Sequence, residues 1–125
     1  MIEAVIVSAA RTPIGKAFRG AFNDTEAPVL GGHVVKAAVA RAGLEPAEVD
    51  DVIIGCAVQQ GTHAHNLGRL CAYTAGLPES VPGMTLDRQC SSGLQAIAMA
   101  ARSIMAGEQD VVVAGGRDAV SLVQN

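Results

Sequence analysis

The chain has 125 residues, half of them hydrophobic, and a formal charge of −3. Its scattered basic residues leave no footprint for nucleic acid, no apolar run reaches the ~18 residues of a membrane span, and the start Met1-Ile2-Glu3-Ala4 lacks the n- and h-regions of a signal peptide. The length suits a single domain over residues 1–125, burying roughly two-thirds of the surface of its unfolded chain.

With no Trp, one Tyr and two Phe, the core has to be built from Ala, Val, Ile, Leu and Met. Cysteines at 56, 71 and 90 show no CxxC spacing and an odd count, which predicts free thiols and a cytoplasmic location.

In chain order, Ala4–Ala9 reads as a buried strand, followed by a loop from Arg11 to Asp24 with basic Arg11, Lys16 and Arg19. Thr25 is the expected cap of a helix through Val29, Leu30, Val34, Ala37, Ala38 and Ala42, with Pro28 in its first turn and Gly43 just past its end. Val52–Val58 is a second strand, a shorter helix runs from Asn66 to Ala75, and a third strand lies within Gly83–Asp87. A helix after Cys90 continues to Gly107, and Asp110–Ala114 is a fourth strand closed by Gly115-Gly116.

Strands alternate with helices, and three of the four are near-continuous apolar runs, the pattern of a parallel sheet covered on both faces. Between Ser91 and Gly107 the only charged residue is Arg102, which predicts a central, buried helix.

Cys90 stands where a short strand gives way to that helix. A helix N-terminus carries partial positive charge and unpaired N–H groups, which favour a thiolate over a thiol. The small polar neighbours Gln89, Ser91, Ser92 and Gly93 let a substrate approach the backbone closely. A buried structural cysteine is the common fate of this residue type, and the residues alone leave both readings open. The G-x-S-x-G nucleophile elbow is absent, because Arg88 occupies its first glycine position.

Nucleotide fingerprints also fail. Gly15-Lys16-Ala17 lacks the glycine spacing and the hydroxyl of a Walker A loop, and neither Gly31-Gly32 nor Gly115-Gly116 has dinucleotide-binding spacing. Arg11, Lys16 and Arg19 fit a phosphorylated cofactor or a subunit contact equally well. His63-Ala64-His65 with Cys56 and Cys71 lacks a second ligand pair at zinc spacing, so a solvated loop and no metal are expected. His33 reads as a packing or surface residue of the first helix rather than as a base for Cys90.

Three segments together resemble the thiolase family, the acetyl-CoA C-acyltransferases. Ala4-Val5-Ile6-Val7-Ser8-Ala9-Ala10-Arg11-Thr12-Pro13-Ile14-Gly15 is similar to the family's first strand and loop. Asp87-Arg88-Gln89-Cys90-Ser91-Ser92-Gly93-Leu94-Gln95-Ala96-Ile97 resembles its nucleophile signature. Ala114-Gly115-Gly116-Arg117-Asp118-Ala119-Val120-Ser121 falls at its Gly-Gly-x-Glu-Ser-Met-Ser segment, with Asp118-Ala119 in place of Glu-Ser.

The resemblance implies an α/β fold, the N-terminal βαβαβαβ part of a thiolase. It implies that Cys90 accepts an acyl group from acyl-CoA, its backbone N–H helping to hold the oxyanion, for thiolysis of a 3-ketoacyl-CoA or Claisen condensation of acetyl-CoA. Coenzyme A is then a substrate rather than a resident cofactor, and the parent enzyme a homo-oligomer, dimer or tetramer. The family's His base, second cysteine, oxyanion-hole asparagine and loop domain have no counterpart in these 125 residues, so the chain alone is expected to be inactive. The alternatives are a non-catalytic acyl-CoA- or lipid-binding protein and a structural fragment on the same scaffold.

Overall fold

A computed structural model describes residues 1–123 of the chain. Helix α1 spans Ala27–Arg41, strand β1 Asp51–Gly55, helix α2 Leu67–Thr74, strand β2 Gly83–Leu86, helix α3 Ser92–Met105 and strand β3 Val112–Gly116. The strands form one parallel sheet in the order β2-β1-β3, with Val52 opposite both Gly83 and Val113.

Alternation along β1 divides the interior in two. Val52 and Ile54 face α1 and α2, where Val35, Val39, Leu67, Cys71, Leu77 and Val81 complete the larger core. Ile53 faces the other way, onto Ala96 and Ala100 of α3, with Met84, Leu86, Val112 and Ala114 beside it. Helices therefore cover both faces, as a parallel sheet requires.

The caps follow side-chain chemistry. Asn66 accepts the N–H of Arg69 at 3.2 Å and starts α2. Glu26, not Thr25, precedes α1 and makes no side-chain cap; the Thr62 hydroxyl accepts the N–H of Ala27 instead, at 3.3 Å. Gly107, at φ +76, ends α3 in the left-handed conformation that a glycine adopts without strain.

Other expectations change too, and β1 ends at Gly55 rather than running on to Val58. Ala4–Ala9 is not a buried strand: it pairs with no strand among the described residues, and Val5, Ile6 and Val7 are 70–80% exposed. An apolar run signals the capacity to pair, but a ladder needs an adjacent edge, and β3 lies across a cleft from it. Helix α3 is buried on one side only, through Ser92, Ala96 and Ala100, while Leu94, Ile97 and Met105 are exposed. Strand β3 takes in Gly115 and Gly116, which pair with Ile54 and Gly55 instead of closing the strand. Among the described residues no helix is long and apolar enough to cross a membrane.

Candidate active site

Cys90 is exposed on a tight turn between β2 and α3. The Asp87 carboxylate accepts the N–H of Gln89 at 2.7 Å, and the Ser92 hydroxyl accepts the N–H of Arg88 at 2.8 Å while donating to the Gln89 carbonyl at 2.6 Å. These bonds hold Gln89 at φ +53, a left-handed conformation that costs an L-residue about 1–2 kcal/mol. Among the described residues the backbone N–H groups of Cys90, Gly93 and Leu94 have no hydrogen-bond partner. They stand where α3 places its positive end.

The floor beneath is main chain. A Cβ on Gly55 would overlap the carbonyl of Ser92, and one on Gly116 would come within 3.0 Å of the Gly93 Cα. The C-terminal ends of β1 and β3 thus seat the first turn of α3 directly. The result is a small hollow of about 290 Å³ beside Cys90, lined by Gly55, Gln89, Gly116 and Asp118 among others.

A second cluster lies behind the hollow. Ligand atoms of Cys56, His63 and Asp118 fall within 4.8 Å of one another, a spacing that invites a metal reading. Their bonds are already committed. Asp118 Oδ1 accepts the N–H groups of Ala57 and Val58, both at 3.1 Å, and the Cys56 thiol at 3.3 Å. His63 Nδ1 donates to the Gln60 carbonyl at 3.2 Å, while Nε2 accepts the N–H of Ala119 at 2.5 Å. Burial, followed by the Asp118 carboxylate, pushes the Cys56 thiol up to about 12, and burial holds the His63 imidazole below its ordinary value. A protonated thiol and a neutral imidazole with both nitrogens engaged make a hydrogen-bonded knot. It ties the ends of β1 and β3 to the Gly61–His63 turn.

His63 is therefore fully buried rather than part of a solvated loop, whereas His65 is exposed. No local pattern signals this, because its partner Ala119 is 56 residues away. Asp118, despite its shorter arm, reaches the N–H groups of Ala57 and Val58 in the turn after β1. Cys71 is buried against α1, and burial pushes its thiol up to about 11. His33, Arg11, Lys16 and Arg19 are exposed, and none of them lines the hollow at Cys90.

A sequence model of the thiolase N-terminal domain matches residues 4–125. The chain belongs to the thiolase family. It is 47% identical to a 3-ketoacyl-CoA thiolase of Bacillus subtilis over 98% of this chain and 32% of that protein. An acetyl-CoA acetyltransferase of Cupriavidus necator is 48% identical over 97% of this chain and 30% of its own length. The crystal structure of the Bacillus anthracis acetyl-CoA acetyltransferase superposes with a TM-score of 0.93 at 46% identity, covering 99% of this chain and 31% of that one. The chain thus spans about a third of the length of the thiolases it matches.

Proposed function

We propose that Cys90 is the acyl-accepting nucleophile of a thiolase-type acyltransferase. The observation that carries this reading is an exposed thiol at the start of α3, over a main-chain floor, with its own backbone N–H free. The thiolate sulfur bonds to the carbonyl carbon of an acyl-CoA, and negative charge gathers on the carbonyl oxygen near that N–H. The carbon–sulfur bond to coenzyme A then breaks, and coenzyme A leaves as its thiolate. One thioester replaces another, so the exchange is nearly balanced in energy.

Completing a cycle needs a proton acceptor, to activate coenzyme A for thiolysis or to form the acetyl-CoA carbanion for condensation. No imidazole is among the residues lining the hollow, and His63 has both nitrogens engaged. The 125-residue chain accordingly takes up an acyl group without turning over.

Incubation with acetyl-CoA followed by peptide mass mapping tests this. Acetylation at Cys90, absent in Cys90→Ser, with negligible acetoacetyl-CoA cleavage is the expected result. Acetylation confined to Cys56 or Cys71, or cleavage that persists in Cys90→Ser, overturns it. Acyl-CoA binding without any acylation would favour a non-catalytic acyl-CoA-binding chain.

A further inference from the structure

The Cys56–His63–Asp118 knot carries the donor set of a metal centre, with the thiol proton standing in for the ion. Donor atoms about 2.0–2.3 Å from a tetrahedral ion are about 3.4–3.6 Å from one another. Cys56 Sγ and Asp118 Oδ1 are 3.3 Å apart, and the widest pair of the three, within 4.8 Å, has at most about 1.4 Å to close. The residues come from the end of β1, the Gly61–His63 turn and the segment after β3, so only the fold brings them together.

Their surroundings are those that metal ligands need. The Gln60 carbonyl can only accept, so it fixes the tautomer of His63 with the hydrogen on Nδ1 and the lone pair on Nε2. The N–H groups of Ala57 and Val58 hold the Asp118 carboxylate by Oδ1, while Oδ2 has, among the described residues, one long contact, with the Ala57 N–H at 3.4 Å. Cys56 and His63 are fully buried, and Leu67 and Ala119 belong to the same core as Cys56, a dry shell in which a charged ion is bound more strongly. Asp118 is exposed and lines the hollow beside Cys90, which gives an ion its entry path and a water to complete its coordination. The charges also balance. One thiolate and one carboxylate cancel a divalent ion, so the Arg117 guanidinium, which donates to the Asp118 carbonyl, faces a neutral complex.

We propose that Cys56 Sγ, His63 Nε2 and an Asp118 carboxylate oxygen bind one zinc-type divalent cation, with a water from the hollow as its fourth ligand. A thiolate and an imidazole select zinc over magnesium or calcium, which take oxygen ligands. On binding, the Cys56 S–H bond breaks, its proton passes to the buffer and the sulfur bonds the ion. The Nε2 lone pair turns from the Ala119 N–H to the ion. Hydrogen bonds at Sγ and Nε2 are thus exchanged for three bonds to the cation, which then ties β1, β3 and the Gly61–His63 turn together. This inference does not depend on the chemistry of Cys90.

The test titrates Co²⁺ and, separately, Zn²⁺ into the Cys90→Ser chain, which lacks the exposed thiol that would compete for them. The expected result is about one Co²⁺ per chain, with a thiolate-to-cobalt charge-transfer band and the strong visible bands of a four-coordinate ion. Calorimetry of Zn²⁺ binding in two buffers should show release of about one proton. Cys71→Ala, outside the cluster, should keep the charge-transfer band, and Cys56→Ala should abolish it. Asp118→Asn retains an acceptor for the Ala57 and Val58 N–H groups, so it should keep its circular dichroism while binding Zn²⁺ at least about tenfold more weakly. X-ray absorption of the zinc-loaded Cys90→Ser chain should show sulfur among the ligands, a readout that stands even if Cys56→Ala does not fold. The proposal is overturned by absence of the charge-transfer band, by a band that follows Cys71 instead of Cys56, or by zinc without a sulfur ligand. Zn²⁺ binding to Asp118→Asn as tight as to the parent also overturns it.

Discussion

His63 Nε2 accepts the backbone N–H of Ala119 at 2.5 Å, joining the turn after β1 to the segment that leaves β3. Only the neutral imidazole makes this bond, since a protonated Nε2 would point its own hydrogen at the N–H of Ala119. Burial lowers the folded-state affinity of His63 for a proton, so between the folded value and the unfolded one near 6.5 the unfolded chain binds more protons. Stability is therefore complete above the unfolded value and declines as pH falls through that window, by at most about 1.4 kcal/mol per pH unit. Urea midpoints between pH 7.5 and 5.5 should follow this slope, and His63→Gln should flatten it. Asp50, held below the ordinary carboxylate range by the N–H groups of Val111 and Asp110, acts only in more acid solution.

Thiol labelling should be strongly selective. Burial pushes the Cys56 and Cys71 thiols well above their ordinary value, so neither is a ready thiolate at pH 8, and both side chains are buried. Cys90 is exposed. Iodoacetamide at pH 8 should alkylate Cys90 alone in the native chain and all three cysteines in urea, as mass mapping would show. Native labelling at Cys56 would mean that the Asp118 knot opens readily.

Substituting the glycine floor should move the helix it seats. Gly55→Ala places a methyl group against the Ser92 carbonyl and should cost about 1–3 kcal/mol in urea unfolding while changing the alkylation rate at Cys90. Gly115→Ala is the control: nothing lies within 4 Å of its Cβ, so stability and labelling should both stay near those of the parent chain.

In the larger core, Ile54 is 4% exposed between β1 and the α1–α2 layer. Ile54→Ala should lower unfolding free energy by about 2–5 kcal/mol, with Cys90 labelling retained wherever the chain remains folded.

What could be read from the residues followed the range of the interactions. Helices α1, α2 and α3 carry their own punctuation, such as Asn66 before α2 and Gly43, Gly76 and Gly107 after their ends. The placement of Cys90 just before α3 was legible because the strand-to-helix junction and its small neighbours are contiguous in sequence. The Cys56–His63–Asp118 knot was not, because it joins residues up to 62 positions apart through backbone N–H groups that no side-chain pattern announces. Ala4–Ala9 misled because apolarity predicts the wish for a sheet and says nothing of whether an edge is adjacent. The pair Gly115-Gly116 misled in the opposite sense, since these glycines stay in the strand and let Gly116 approach Gly93.

The left-handed backbone at Gln89 has a consequence for anyone improving this chain by selection. Gln89→Gly would remove the penalty on a side chain at φ +53, and a screen for heat resistance should favour it. The same replacement frees the residue beside Cys90 to visit many more conformations, loosening the turn that holds Cys90 at the start of α3. Robustness and a fixed thiol position are opposed at this one residue, so variants enriched by temperature alone should drift toward a sturdier fold with a less fixed Cys90.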